Sequence, residues 1–143
     1  MTRRGQRGLS ASVEMAILVP ALVVVIALVI GAGRLALARL SVQQWADSAA
    51  RTATLARDAS TAQARAHAVV ASDAAGSGTR CVGGHTLAVD AAAFALPVGQ
   101  PGQVRVTVRC TVPLADLLLP GVPGTILVEG EASSALDRYR GRS

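Results

Sequence analysis

From Met15 to Gly33 the chain runs for about 19 residues without a single charged side chain. At 1.5 Å of rise per residue, that is about 28 Å of helix, close to the thickness of a bilayer's hydrocarbon core. The run is apolar on every face, whereas a helix on the surface of a soluble domain is apolar along one stripe only. The segment is therefore expected to cross a membrane. Arg3, Arg4 and Arg7 precede it, and Arg34 and Arg39 follow it. The local charge bias is weak, but positive residues ahead of a first span favour an inside amino end. The remainder of the chain is then expected outside.

Two export routes fit this pattern. In one, the span is a signal peptide cut after the small-x-small site Ala36-Leu37-Ala38. Its apolar region is longer than the usual ~7–15 residues of such signals. In the other, the helix is retained as an anchor.

The 143 residues leave room for one small domain beside the span. Apolar residues make up 51% of the chain but aromatics only 2%. Aromatic rings supply much of the buried area of most cores, so a core of Ala, Val and Leu is thin. Such a domain is expected to lean on a membrane, a partner or a disulfide. The two cysteines, Cys81 and Cys110, are expected to pair if they are exported; a cytosolic pair would carry no such implication.

The net charge is +5, and every basic residue is Arg. The arginines are scattered from Arg3 to Arg142 without a dense patch or a known motif, so no nucleic-acid partner is expected. The two histidines, His67 and His85, lack neighbours at metal-ligand spacing or a motif that places them beside a nucleophile. The serines sit at caps and turns. No enzyme activity and no cofactor or metal are expected.

The fold expected beyond the span is α+β. "RLALARLSVQQWADSAARTATLA" is rich in helix formers, so one helix is expected from about Ser12 to Arg57. Val42, Trp45, Ser48, Ala49 and Thr52 fall along one stripe, with Leu55 nearby, and Trp45 reads as a packing residue. Asp47 and Arg51 stand four apart and are placed to pair. Cap-type residues at Asp58 to Ser60 mark a break, and a short second helix is expected over 61–74. "GSG" at 76–78 reads as a turn rather than a phosphate loop.

Three strand signals follow, enough for a small antiparallel sheet. "HTLAVDA" is short. "QVRVTVRCTV" alternates strictly, with Val104, Val106, Val108, Cys110 and Val112 on one face and Arg105, Thr107, Arg109 and Thr111 on the other. "GTILVEGEASSA" places Ile126 and Val128 inward and Glu129 and Glu131 outward, where they can pair with the arginines across a solvated face. "PVGQPGQ" reads as a turn and "PLADLLLPGVPG" as an apolar loop whose residues 117–119 are expected to plug the core, the other reading being an exposed contact patch. A bridge from Cys81 to Cys110 would close a loop of roughly 30 residues and contribute about 3–4 kcal/mol.

The amino-terminal residues narrow the choice of route. A short basic leader, Gly8, a few small residues, "VEMA" and an apolar helix containing Pro20 resemble the class III signal of type IV pilins. More closely, they resemble the TadE-like minor pilins or pseudopilins of tight-adherence (Flp) pilus systems. "GRLALARLSVQQWADSAARTATLARDAS", the later cysteine pair and the closing "SSALDRYR" are similar to that family too.

The resemblance implies a prepilin peptidase that cuts after a glycine on the cytoplasmic side. Carried over, Gly8 is the last leader residue, Leu9 the new terminus, and Glu14 the carboxylate that neutralises the terminal amine of an adjacent subunit. Such a partner would answer the cost of a carboxylate at the edge of the hydrocarbon core; solvation by headgroups or water is the other answer. Glu14 is the sixth residue after Gly8, where the family glutamate is the fifth. One extra residue turns a helical side chain by about 100°, so cleavage can shift, tolerate the spacing or fail. Failure leaves a plain membrane-anchored protein.

The expected organisation is a leader over 1–8, a long helix over 9–57 spanning the membrane at 15–33, and an extracellular α+β head over 58–143. The resemblance implies a minor pilin or pilus-assembly component in the cytoplasmic membrane or in an extracellular pilus. Its partners would be other pilin subunits, the prepilin peptidase, the membrane assembly platform and the lipid bilayer. A secreted or anchored extracellular binding module unrelated to pili is the alternative.

Overall fold

A computed structural model describes residues 6–117 and 121–139, with side chains from residue 15 onward. The long helix, α1, runs from Gln6 to Thr54 without a break, through Pro20. It starts earlier and stops sooner than the Ser12–Arg57 expected from sequence. Its last turn tightens through bonds from the Leu55 and Ala56 N–H groups to the Thr52 and Ala53 carbonyls.

Asp58 then opens α2, Ala59–Gly76. Its carboxylate accepts hydrogen bonds from the Thr61 N–H at 2.7 Å, the Ser60 hydroxyl at 2.6 Å and the Thr61 hydroxyl at 2.8 Å. These donors, the Ser60 hydroxyl foremost, hold the Asp58 carboxyl at about 2, below its ordinary 3.8. A depressed carboxylate contributes stability that is fully present above pH 3.8 and is lost as pH falls toward 2. Asp58→Asn keeps the cap but cannot titrate. Its stability difference from wild type is expected to shrink between pH 4 and pH 2, as read by thermal unfolding followed through Trp45; a difference that stays constant would refute this.

Three antiparallel strands follow in the order β1 (His85–Asp90), β2 (Gln103–Pro113) and β3 (Thr125–Ala135). In register, His85 faces Cys110, and Val108 faces both Leu87 and Gly130. A 3₁₀ turn at Ala92–Ala95 buries Phe94, and a single helical turn, α3 (Leu114–Leu117), follows β2. The segment around α3 was expected to be loop. Leu117 is buried as expected, while residues 118 and 119 lie outside the described residues.

The alternation of β2 is reproduced residue by residue: Val104, Val106, Val108, Cys110 and Val112 are buried. The other face is open to solvent. There Arg109 grips Glu129, its directly opposed partner, at 2.9 Å, and Arg105 reaches Glu131 diagonally at 3.1 Å. The expected pair of Asp47 and Arg51 is not among the ion pairs of the described residues; both side chains are exposed, where such a pair contributes little.

The distal half of α1 lies on β2 and β3, and α2 runs beside it. The buried face of α1 comprises Val42, Trp45 and a series of alanines from Ala38 to Ala53. It is broader than the expected stripe because helix and sheet both press on it, while Leu55, past the helix end, is exposed. From α2 come Ala62, Ala66 and Val70, four residues apart and fully buried. The packing unit thus takes in α1 from about Ala38 onward as well as residues after 57.

Small side chains let the layers approach closely, most of all at Gly130. A Cβ there would stand 2.6 Å from the Val42 carbonyl oxygen. One residue further along the contact, the Gln43 side-chain amide donates to the Glu131 carbonyl at 2.8 Å and accepts from its N–H at 3.3 Å. Gln43 thereby occupies one rung of the open edge of β3, as a neighbouring strand would.

The thin core is stapled. Cys81 and Cys110 form a disulfide with Cα atoms 5.2 Å apart and a sequence separation of 29. Beside it the Val82 N–H donates to the Thr111 carbonyl at 2.7 Å. The bridge ties the approach to β1 onto the central strand.

Candidate functional site: an uncovered stem and the foot of the head

Two regions of one helix have opposite surroundings. Beyond Ala38, one face of α1 is buried in the head. Before Gly33, every large apolar side chain from Met15 to Ile30 is 48% to 67% exposed. Leaving a Val, Leu or Ile in water rather than burying it forgoes about 1.5–3 kcal/mol per side chain. A surface of this size, apolar all round, is matched by lipid or by other apolar helices. The helix is long and apolar enough to cross a membrane.

Gly8, Leu9 and Glu14 lie within α1 near its start, and their side chains are outside the described residues. Cys81 and Cys110 are brought together as the disulfide. His67 is exposed on α2, and His85 tilts against Trp45 with ring centroids 6.2 Å apart. Among the described residues, no three His, Cys, Asp or Glu side chains are grouped so as to hold a metal ion.

Sequence reasoning missed the contacts at the foot of the head. Arg34, the first charge after the apolar run, donates to the Asp116 carbonyl at 3.2 Å. Arg80 approaches the Asp116 carboxylate at 3.8 Å. These residues line an open groove of about 630 Å³, together with Leu37, Ser41, Ser77 and Thr79. The position of Arg34 at the end of the run was a signal in the sequence. Its meeting with Arg80 and Asp116 depends on tertiary folding, which no local pattern announces.

Stem, disulfide and small head define a class: an α+β domain carried on a single helix of membrane-spanning length. Residues 10–51 match the family model of TadE-like proteins, a family associated with tight-adherence pili. The match covers the uncovered stem and nearly all of the α1 surface that packs into the head. No curated protein and no solved structure matches the chain.

Proposed function

We propose that this chain is a membrane-anchored minor pilin or pilus-assembly component of a tight-adherence system. The observation that carries the reading is the TadE-like match falling on a helix that is uncovered and apolar from Met15 to Ile30. The stem is held in the bilayer and packs against the stems of other pilin subunits, in a fibre or in an assembly complex with the membrane platform. The head stands outside the cytoplasmic membrane and makes lateral contacts. An outward head agrees with a disulfide, which persists in oxidising compartments. The mechanism is association of helices and surfaces, not chemistry on a substrate.

In this reading a prepilin peptidase cuts between Gly8 and Leu9, and Glu14 neutralises the new amine of a neighbouring subunit. The alternative, release by cleavage after Ala38, fits the structure less well. Ala38 sits inside the unbroken helix, only 6% exposed and part of the head's core. Intact-mass measurement of the protein recovered from cells that contain the peptidase tests the reading. A chain beginning at Leu9 is expected, and Gly8→Trp is expected to abolish that product. A chain beginning at Arg39 supports secretion of an unrelated binding module, and Leu9 termini persisting in Gly8→Trp would refute the assigned site.

A further inference from the structure

We propose that the groove at the foot of the head seats the phosphodiester of an anionic phospholipid between Arg34 and Arg80. The inference rests on the membrane placement of the stem, and it assigns that placement a specific lipid contact. Arg34 follows the last residue of the uncharged run directly, so it stands at the level where hydrocarbon gives way to headgroups. That headgroup zone is roughly 5–8 Å deep on each side of the core. Four residues of helix rise span about 6 Å, so Arg34 and Leu37 both fall within it.

Arg80 comes from the segment after α2, where the neighbouring Cys81 is bridged to Cys110 of the central strand. The Asp116 carbonyl accepts from Arg34 at 3.2 Å, and its carboxylate lies 3.8 Å from Arg80. Two guanidinium groups thus meet at one residue of α3 and line the same groove. Two arginines against one carboxylate leave one positive charge in excess. The Arg80 side chain is 83% exposed and its contact with Asp116 is long, so its donors remain available to an incoming anion. The flanks suit the rest of a lipid. Leu37, 65% exposed, offers an apolar wall within the headgroup zone. Ser77 and Thr79 line the polar wall. A guanidinium matches phosphate oxygens in geometry as well as in charge.

The test uses the full chain in a zwitterionic detergent and counts lipid adducts by native mass spectrometry. The probes are phosphatidylglycerol, phosphatidylcholine and inorganic phosphate, each added separately. Wild type is expected to retain phosphatidylglycerol over phosphatidylcholine, and Arg34→Gln with Arg80→Gln to lose at least about tenfold of that retention. Asp116→Asn removes the competing carboxylate and is expected to strengthen it. If the two arginines merely brace α3, Asp116→Asn would weaken retention, and that result overturns the proposal. Unchanged retention in the double variant overturns it as well. Inorganic phosphate displacing the lipid at equal concentration would mark a site for the free anion and overturn the lipid assignment.

Flotation with phosphatidylglycerol-containing vesicles separates the two readings. Wild type that floats without retaining the lipid overturns this inference alone. Wild type that fails to float overturns the membrane stem, and this inference with it.

Discussion

Gly130→Ala is expected to destabilise the head by about 3 kcal/mol, the upper part of the range for overpacked sites. The added Cβ would lie 2.6 Å from the Val42 oxygen, 2.8 Å from its carbonyl carbon and 2.9 Å from the Gln43 Cα. All three are backbone atoms of a helix, so no side chain can swing aside. Either α1 lifts from β3 or the strand bends away from Val108, its partner in the ladder. Lifting the helix also loosens the Gln43 clasp on Glu131, one residue along. Urea unfolding of the full chain in detergent measures the effect through Trp45, the only tryptophan, which is buried in the head. Gly76→Ala is the control, because a Cβ there meets nothing within 4 Å. That change is expected to be neutral or slightly stabilising. Equal midpoints for Gly130→Ala and wild type would mean that helix and sheet do not approach as closely as described.

Breaking the Cys81–Cys110 bridge is expected to remove about 3–4 kcal/mol, the entropy of a loop of about 30 residues released in the unfolded chain. Cys110 is fully buried in the central strand, and Cys81 is held at the approach to the edge strand β1. The Val82 to Thr111 bond is the next restraint after the disulfide, and β1 itself has only six residues. The first consequence is therefore expected in β1, ahead of the helices. Cys81→Ala with Cys110→Ala, or reduction of the wild type, should shift the urea midpoint downward. Amide exchange should rise first at residues 85–90. A midpoint unmoved by reductant would show that the alanine and valine core suffices without the bridge.

Much of this architecture can be read from local pattern. The membrane-length run needed only a count of uncharged residues. The face of β2 followed from a period of two, and Cys110 fell on the inward side by the same alternation. The two arginine–glutamate pairs followed from placing one alternating strand beside another. What stayed hidden came from contacts between distant parts of the chain. Gly130 looks like any strand glycine until Val42, far away in sequence, is laid upon it. Gln43 is a polar helix residue until the edge of β3 arrives beside it. Arg34, Arg80 and Asp116 share no spacing that a periodicity can detect. α3 is only four residues long, too short for a helical period to show within a Pro- and Gly-bounded stretch. The extent of the alanine face on α1 is hidden in the same way, because alanine is neutral in any stripe until two layers press on it.

The unbroken course of α1 from Gln6 to Thr54 has a mechanical meaning. At 49 residues it is about 74 Å long, with no linker between the uncovered apolar part and the part that carries the sheet. A domain mounted this way has no swivel. Any lean of the shaft reappears as an equal lean of what it holds aloft, and a twist imposed at one end is delivered at the other. Neighbouring copies that fixed the distance and angle between their shafts would thereby dictate how their outer parts meet.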